Sequence, residues 1–263
     1  MTGLLASVMS ADEAETVLAL GADIVDLKDP RRGALGALPL DVVREALVRV
    51  AGRRPVSATV GDLPMEPDRV AAAAARTGET GLDFVKVGLF PGGDRLACLD
   101  ALAVQAAQGL SLVAVMFADQ GPDFTLIERL AERRFAGVML DTAGKRGGGL
   151  LSYLDEAVLR DFVQRANAAG LLAGLAGSLA LGDVPALLHL GPDYLGFRGA
   201  LTGGGREASL DPPAIAALRG AIPASAKLYP LPRAKRATAA AGAQQAARPH
   251  TISSPSTSAA KSL

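Results

Sequence analysis

Residues 21–30, Gly21-Ala-Asp-Ile-Val-Asp-Leu-Lys-Asp-Pro30, decide the fold by how they parse. Gly21 ends a helix-patterned stretch over 11–20 that Ser10 and Asp12 begin, and a short β-type run follows over 23–28. Outward from this segment the same alternation repeats. β-type runs fall at 3–8, 23–28, 55–60, 82–87, 110–116, 135–141, 171–175 and 193–197. Alanine- and leucine-rich amphipathic stretches fall between and after them, at 11–20, 40–50, 67–78, 95–108, 123–133, 155–169, 183–189 and 211–221. Gly109 and Gly170 stand after the fourth and sixth helices, as caps do. Each pair spans roughly 25–30 residues, the size of a βα unit. Eight such units predict an α/β fold, a TIM (β/α)8 barrel over residues 1–222. A doubly wound open sheet is the competing architecture, but it more often carries a glycine-rich dinucleotide turn after its first strand, which SVMSADEAE lacks. From 223 to 263 proline, serine and small residues replace the rhythm, which predicts a disordered C-terminal tail.

Composition narrows the function. Of the 263 residues 49% are hydrophobic, enough for a large core, and formal net charge is +0. That balance, with 4% aromatics and no Trp, speaks against a nucleic-acid surface or an anionic membrane partner. The start shows no signal peptide, no uncharged apolar run is long enough to span a bilayer, and the single Cys98 cannot form an internal disulfide. Together these predict a cytoplasmic protein. Cys98 lies in the apolar pattern of Leu96, Leu99 and Leu102 and is read as core. His189 closes a helix and His250 lies in the tail, so neither histidine catalysis nor a His-based metal site is supported.

Lysine use is the informative signal. Arginine is the default cation, yet residues 1–222 hold only Lys28, Lys86 and Lys145. A guanidinium stays charged, whereas an ε-amine can lose its proton and act as nucleophile or base. In a barrel, alternate strand residues face inward and the C-terminal strand ends carry the chemistry. With Val25 and Leu27 outward, Ala22, Ile24, Asp26 and Lys28 face the axis. The same parity places Phe84, Lys86 and Gly88 inside in the fourth strand, and Gly137, Met139 and Asp141 in the sixth, with Lys145 in the loop that follows. Three lysines and two carboxylates thus converge on one mouth. They read either as Asp26–Lys28 and Asp141–Lys145 ion pairs bracing the rim, or as a site where crowding and desolvation lower a lysine pKa toward neutrality for attack on a carbonyl. The residues do not say which amine attacks.

Barrels often bind phosphate on the loops after strands seven and eight. Here these are AGSLA (176–180) and GFRGALTGGG (196–205), in which Gly177, Ser178 and Gly199 allow close backbone approach and Arg198 supplies a fork. Tight turns alone would explain the glycines equally. The loop 142–149, TAGKRGGG, reads as a lid or a second phosphate contact.

At GADIVDLKDPRRGALGA (21–37), SATVGDLP (57–64), DFVKVGL (83–89), MLDTAGK (139–145), AGS (176–178) and GFRGA (196–200) the chain resembles the 4-(hydroxymethyl)-2-furancarboxaldehyde-phosphate synthases of methanofuran biosynthesis. The resemblance implies a lyase that joins two glyceraldehyde 3-phosphates into the phosphorylated furan aldehyde, with loss of phosphate and water. It makes Lys28 the Schiff-base nucleophile and Lys86 the proton acceptor, with Asp26, Asp141 and Lys145 assisting. It implies no cofactor, and phosphorylated trioses as partners. A class I aldolase and a non-catalytic sugar-phosphate-binding barrel are the other functions this sequence fits. Apolar helix faces suit a homo-oligomer.

Overall fold

The computed structural model describes residues 2–144 and 147–223. Eight parallel strands close into a barrel in sequence order, β1 pairing with both β2 and β8. The chain runs β1 Gly3–Val8, α1 Ala11–Ala19, β2 Ile24–Leu27, α2 Leu40–Val50, β3 Val56–Thr59 and α3 Pro67–Gly78. It continues through β4 Phe84–Gly88, α4 Arg95–Ala107, β5 Leu112–Phe117, α5 Leu126–Glu132, β6 Gly137–Asp141 and α6 Leu150–Tyr153. It ends with α7 Glu156–Ala168, β7 Leu172–Leu175, α8 Val184–Leu188, β8 Tyr194–Phe197 and α9 Pro212–Ala221. The TIM barrel expected from the alternation is therefore the fold. The expectations for Lys145 and for the tail from 224 onward lie outside the described residues.

Several strands begin one or two residues later than the sequence pattern suggests. The reason is chemical at three of them, where an aspartate before the strand caps a neighbour. Asp23 Oδ2 accepts from Leu4 N (2.9 Å), Asp83 Oδ2 from Val56 N (2.8 Å) and Asp193 Oδ2 from Ala173 N (2.8 Å). Each carboxylate satisfies an amide at the closed end of the barrel. Ala22, expected to face the axis, instead packs with the helix-side core. Gly21, at φ +88°, ends α1 in a Schellman turn in which Gly21 N and Ala22 N bond to Leu18 O and Val17 O (3.0 and 2.9 Å). The chain is still leaving the helix at Ala22. The four-residue α6 was not expected either; it is too short for periodicity, and Leu150 N donates to Gly177 O (2.9 Å) to seat it.

Two apolar clusters hold the barrel. The larger lies between strands and helices and includes Val25, Leu27, Val85, Val87, Val138 and Leu140, the outward residues of the parity reading. Cys98 is fully buried in it, where burial, then Asp94 and Glu66, push its thiol pKa up. The smaller cluster fills the barrel interior with Leu5, Ile24, Phe84, Val113, Met139 and Tyr194. It forms a dry floor beneath the mouth. His189 is the exposed C-cap of α8. Among the described residues no helix is long and apolar enough to cross a membrane.

Candidate active site

The site is built in strand register. Ser7, Asp26 and Ser57 are neighbours across β1, β2 and β3, all pointing inward. Asp26 Oδ2 accepts from Ser7 Oγ (2.9 Å), and Oδ1 accepts from Ser57 Oγ (2.6 Å) and Lys86 Nζ (2.9 Å). Asp26 is wholly buried and Lys86 is 3% exposed. Burial alone would raise the Asp26 pKa, but the charges of Lys86 and Lys28 and the bond from Ser57 outweigh it and hold the carboxyl below its ordinary value. The second pair is Lys28 Nζ with Asp141 Oδ2, 3.6 Å apart and partly open to solvent. Asp141 also accepts from Thr142 N (2.8 Å).

The ion pairs thus run between strands, whereas the rim reading paired neighbours along the chain. Asp26 on β2 and Lys86 on β4 are separated by β3, and Lys28 after β2 faces Asp141 of β6 on the opposite side of the ring, so each inward amine meets its carboxylate across the barrel interior. Asp26, Lys28, Lys86 and Asp141 all line one cavity of about 670 Å³ at the C-terminal mouth. That volume falls within the range typical of small-molecule sites, roughly 300–1,000 Å³.

A roof makes one side of this mouth apolar. The loop after β2 folds inward, burying Ala34 and Leu35 with Phe84 and Phe117. Asp62 in the next loop pins it, accepting from Ala34 N (2.9 Å) and Leu35 N (2.7 Å), and Thr59 Oγ1 donates to Gly36 O (3.0 Å). Across the mouth, Asp119 accepts from Ala143 N (2.8 Å) and Gly144 N (2.5 Å), anchoring the base of the loop after β6. Ser7, Ser57, Asp62 and Asp119 were not singled out in the sequence. Strand parity would have found the two serines; the two loop aspartates show no local signal.

Gly177, Ser178, Arg198 and Gly199 line the same cavity. Gly177 has φ +106°, and a Cβ there would sit 3.0 Å from Thr142 N, so only glycine lets the β7 loop approach the end of β6. The backbone N–H groups of Gly177, Ser178 and Gly199 donate to no protein acceptor among the described residues. Arg198 differs from its expected role as a free fork. Its Nη1 donates to Glu13 Oε2 (2.6 Å) and Ser7 O (3.2 Å), its Nη2 to Glu13 Oε1 (3.3 Å) and Ala208 O (3.1 Å), and its Nε to Arg206 O (2.8 Å). Its donors brace the β8 loop against α1. Among the described residues no three His, Cys, Asp or Glu side chains gather as metal ligands.

Comparison with known proteins places this arrangement. Among solved structures, 3-hexulose-6-phosphate synthase superposes with a TM-score of 0.58 at 19% identity, covering 84% of this chain and 100% of that one. Phosphoribosyl anthranilate isomerase from Thermus thermophilus gives 0.60 at 16%, covering 84% and 98%. At such identities these matches speak for the barrel alone. Sequence relatives say more. A Methylorubrum extorquens protein is 46% identical over 198 residues, 75% of this chain and 81% of its own. The (5-formylfuran-3-yl)methyl phosphate synthase of Methanosarcina mazei is 35% identical over 218 residues, covering 79% of this chain and 93% of its own. That of Methanocaldococcus jannaschii is 34% identical over 216, covering 77% and 91%. Residues 4–219, which carry all of the described cavity, match the 4-HFC-P synthase family, and the chain belongs to it.

Proposed function

We propose that this enzyme condenses two glyceraldehyde 3-phosphates into 4-(hydroxymethyl)-2-furancarboxaldehyde phosphate through a lysine Schiff base, the step its family serves in methanofuran biosynthesis. The observation that carries the reading is the pairing of two amines with two carboxylates in one cavity, one pair sealed and one half-open. An amine must be uncharged to attack a carbonyl. Lys28, the more accessible of the two, is the nucleophile: its nitrogen adds to the triose carbonyl and water leaves to give the iminium. Asp141, 3.6 Å away, takes the proton that Lys28 sheds and returns one to the departing hydroxyl. The iminium then draws electrons from the neighbouring carbon, and Lys86, entering the step as the neutral amine, accepts the proton released there and becomes the ammonium. Asp26 holds Lys86 in place and balances its charge. Lys145 assists proton transfer in the same scheme. The N–H groups of Gly177, Ser178 and Gly199 cradle a substrate phosphate, with Arg198 bracing the loop that presents Gly199. The scheme requires no cofactor.

Borohydride reduction in the presence of glyceraldehyde 3-phosphate, followed by peptide mapping, tests the covalent step. An adduct on the Lys28 peptide supports it, an adduct on Lys86 exchanges the two roles, and none at all removes the imine. Growth of a furan chromophore in the same mixture separates this reaction from a class I aldolase, whose product has no such absorbance, and from a barrel that only binds sugar phosphates.

A further inference from the structure

Arg198 and Arg206 flank one turn and line the same cavity, but they use their guanidinium groups in opposite ways. Arg198 is neutralised by Glu13, and all three of its nitrogens donate to protein. Arg206 is held through Nη2 alone, by the carbonyls of Pro30 and Gly33 in the roof loop. Its Nε is buried and donates to no protein acceptor. Among the described residues no carboxylate forms an ion pair with it; Glu207, next in the chain, is exposed at the rim. A full positive charge with an unused donor therefore stands in the cavity wall. An unpaired buried donor is destabilising, a charged one more so, and an anion with several acceptor oxygens removes that cost.

We infer that Arg206 is the docking residue for a second substrate phosphate, distinct from the one received by the backbone cradle after β7 and β8. The inference rests on the proposed condensation, which brings two phosphate esters, each carrying about −1.5 to −2 charge at neutral pH, into one cavity. The cradle offers amides beside Gly177 and Gly199, whereas Arg206 is tethered to the loop that follows Lys28 and so lies on the β1–β2 side of the mouth. One planar fork and one amide cradle give two anions separate seats. The acidic pairs cannot do this, because Lys28 and Lys86 already face carboxylates.

The test compares the full chain with Arg206→Gln and Arg206→Lys. Equilibrium dialysis with inorganic phosphate should find two phosphates per wild-type chain and one per Arg206→Gln chain. Arg206→Lys keeps charge but loses the fork, so its second phosphate should bind several-fold more weakly while the first is unchanged; this variant decides the matter if the glutamine chain does not fold. With glyceraldehyde 3-phosphate, Arg206→Gln should raise KM about tenfold or more and change kcat less. Equal phosphate stoichiometry in wild type and Arg206→Gln, or a loss confined to kcat, would overturn the assignment. Two phosphates falling to one in a protein that makes no furan product would support the anion seat and sink the condensation reading, so the two ideas fail separately.

Discussion

The buried pair of Asp26 and Lys86 can be weighed by a double-mutant cycle. Asp26 accepts three hydrogen bonds of 2.6–2.9 Å and Lys86 is 3% exposed. Asp26→Asn keeps the shape but leaves the Lys86 ammonium without its counter-charge, and orphaning one member of a buried pair costs about 3–5 kcal/mol. Lys86→Met leaves a carboxylate that retains both serine hydroxyls and the field of Lys28, so its cost falls at the low end, about 3 kcal/mol. Summed, the single changes predict a loss of about 6–8 kcal/mol, a large part of the 5–15 kcal/mol that holds a typical domain. The double variant removes both charges together and orphans neither, so it should lose only about 3–4 kcal/mol, a coupling of roughly 3 kcal/mol. Urea unfolding of the four proteins reads this directly. Additivity within about 0.5 kcal/mol would refute the description of the pair as a sealed, mutually dependent unit. The pH dependence has a definite sign. Because the folded Asp26 pKa is depressed, its contribution is fully present above the unfolded value of about 3.9 and is lost as pH falls through the folded value. The stability gap between wild type and Asp26→Asn should therefore stay level from neutral pH down to about 5 and shrink on further acidification.

Three further outcomes follow from the same geometry. Lys28→Arg should keep the fold within about 1 kcal/mol, since an arginine can still meet the half-open Asp141, while turnover drops by about a thousandfold or more because no nucleophile remains; appreciable furan production by this variant would contradict the proposed chemistry. Gly177→Ala should cost about 1–3 kcal/mol and raise KM, given φ +106° and the amide of Thr142 in the way, whereas Gly199→Ala, whose Cβ would meet open space, should unfold within about 0.5 kcal/mol of wild type. Equal melting of the two would remove the close-approach argument. Cys98 should resist thiol reagents in the native protein at mildly alkaline pH and react once urea unfolds it, since burial raises its pKa; rapid native labelling would place it elsewhere.

How much of this was legible depended on whether a residue's role was set by periodicity or by contact. Strand parity is local, so Asp26, Lys86 and Asp141 could be aimed into the barrel from the pattern of Val25, Leu27, Val85, Val87, Val138 and Leu140. Partner choice is not local. Which carboxylate meets which amine depends on the register between strands, and that put Lys86 on Asp26 and Lys28 on Asp141. The pairing of Arg198 with Glu13 has the same origin: Glu13 lies in the first turn of α1, 185 positions away in sequence, and only barrel closure brings it near. Arg206, one residue beyond the glycine-rich loop, carries no signal of its own in the sequence, because the roof carbonyls that hold it and the unused Nε are products of the fold.

The two halves of the mouth demand opposite surroundings, and the roof loop reconciles them. The pair of Asp26 and Lys86 sits in low-dielectric surroundings, which the apolar floor and the buried Leu35 supply. The proposed phosphate esters would need hydration or dense donors, and the amides around Gly177 and Gly199 offer the latter in the cavity wall. Arg206 touches both, since it faces the cavity while its Nη2 grips Pro30 and Gly33 of the roof. An anion that draws on the unused Nε would also hold the guanidinium against those carbonyls, so substrate charge and the dryness around Lys86 are linked through one side chain. Arginine suits that junction because it cannot lose its proton, just as the proposed chemistry asks at positions 28 and 86 for a side chain that can.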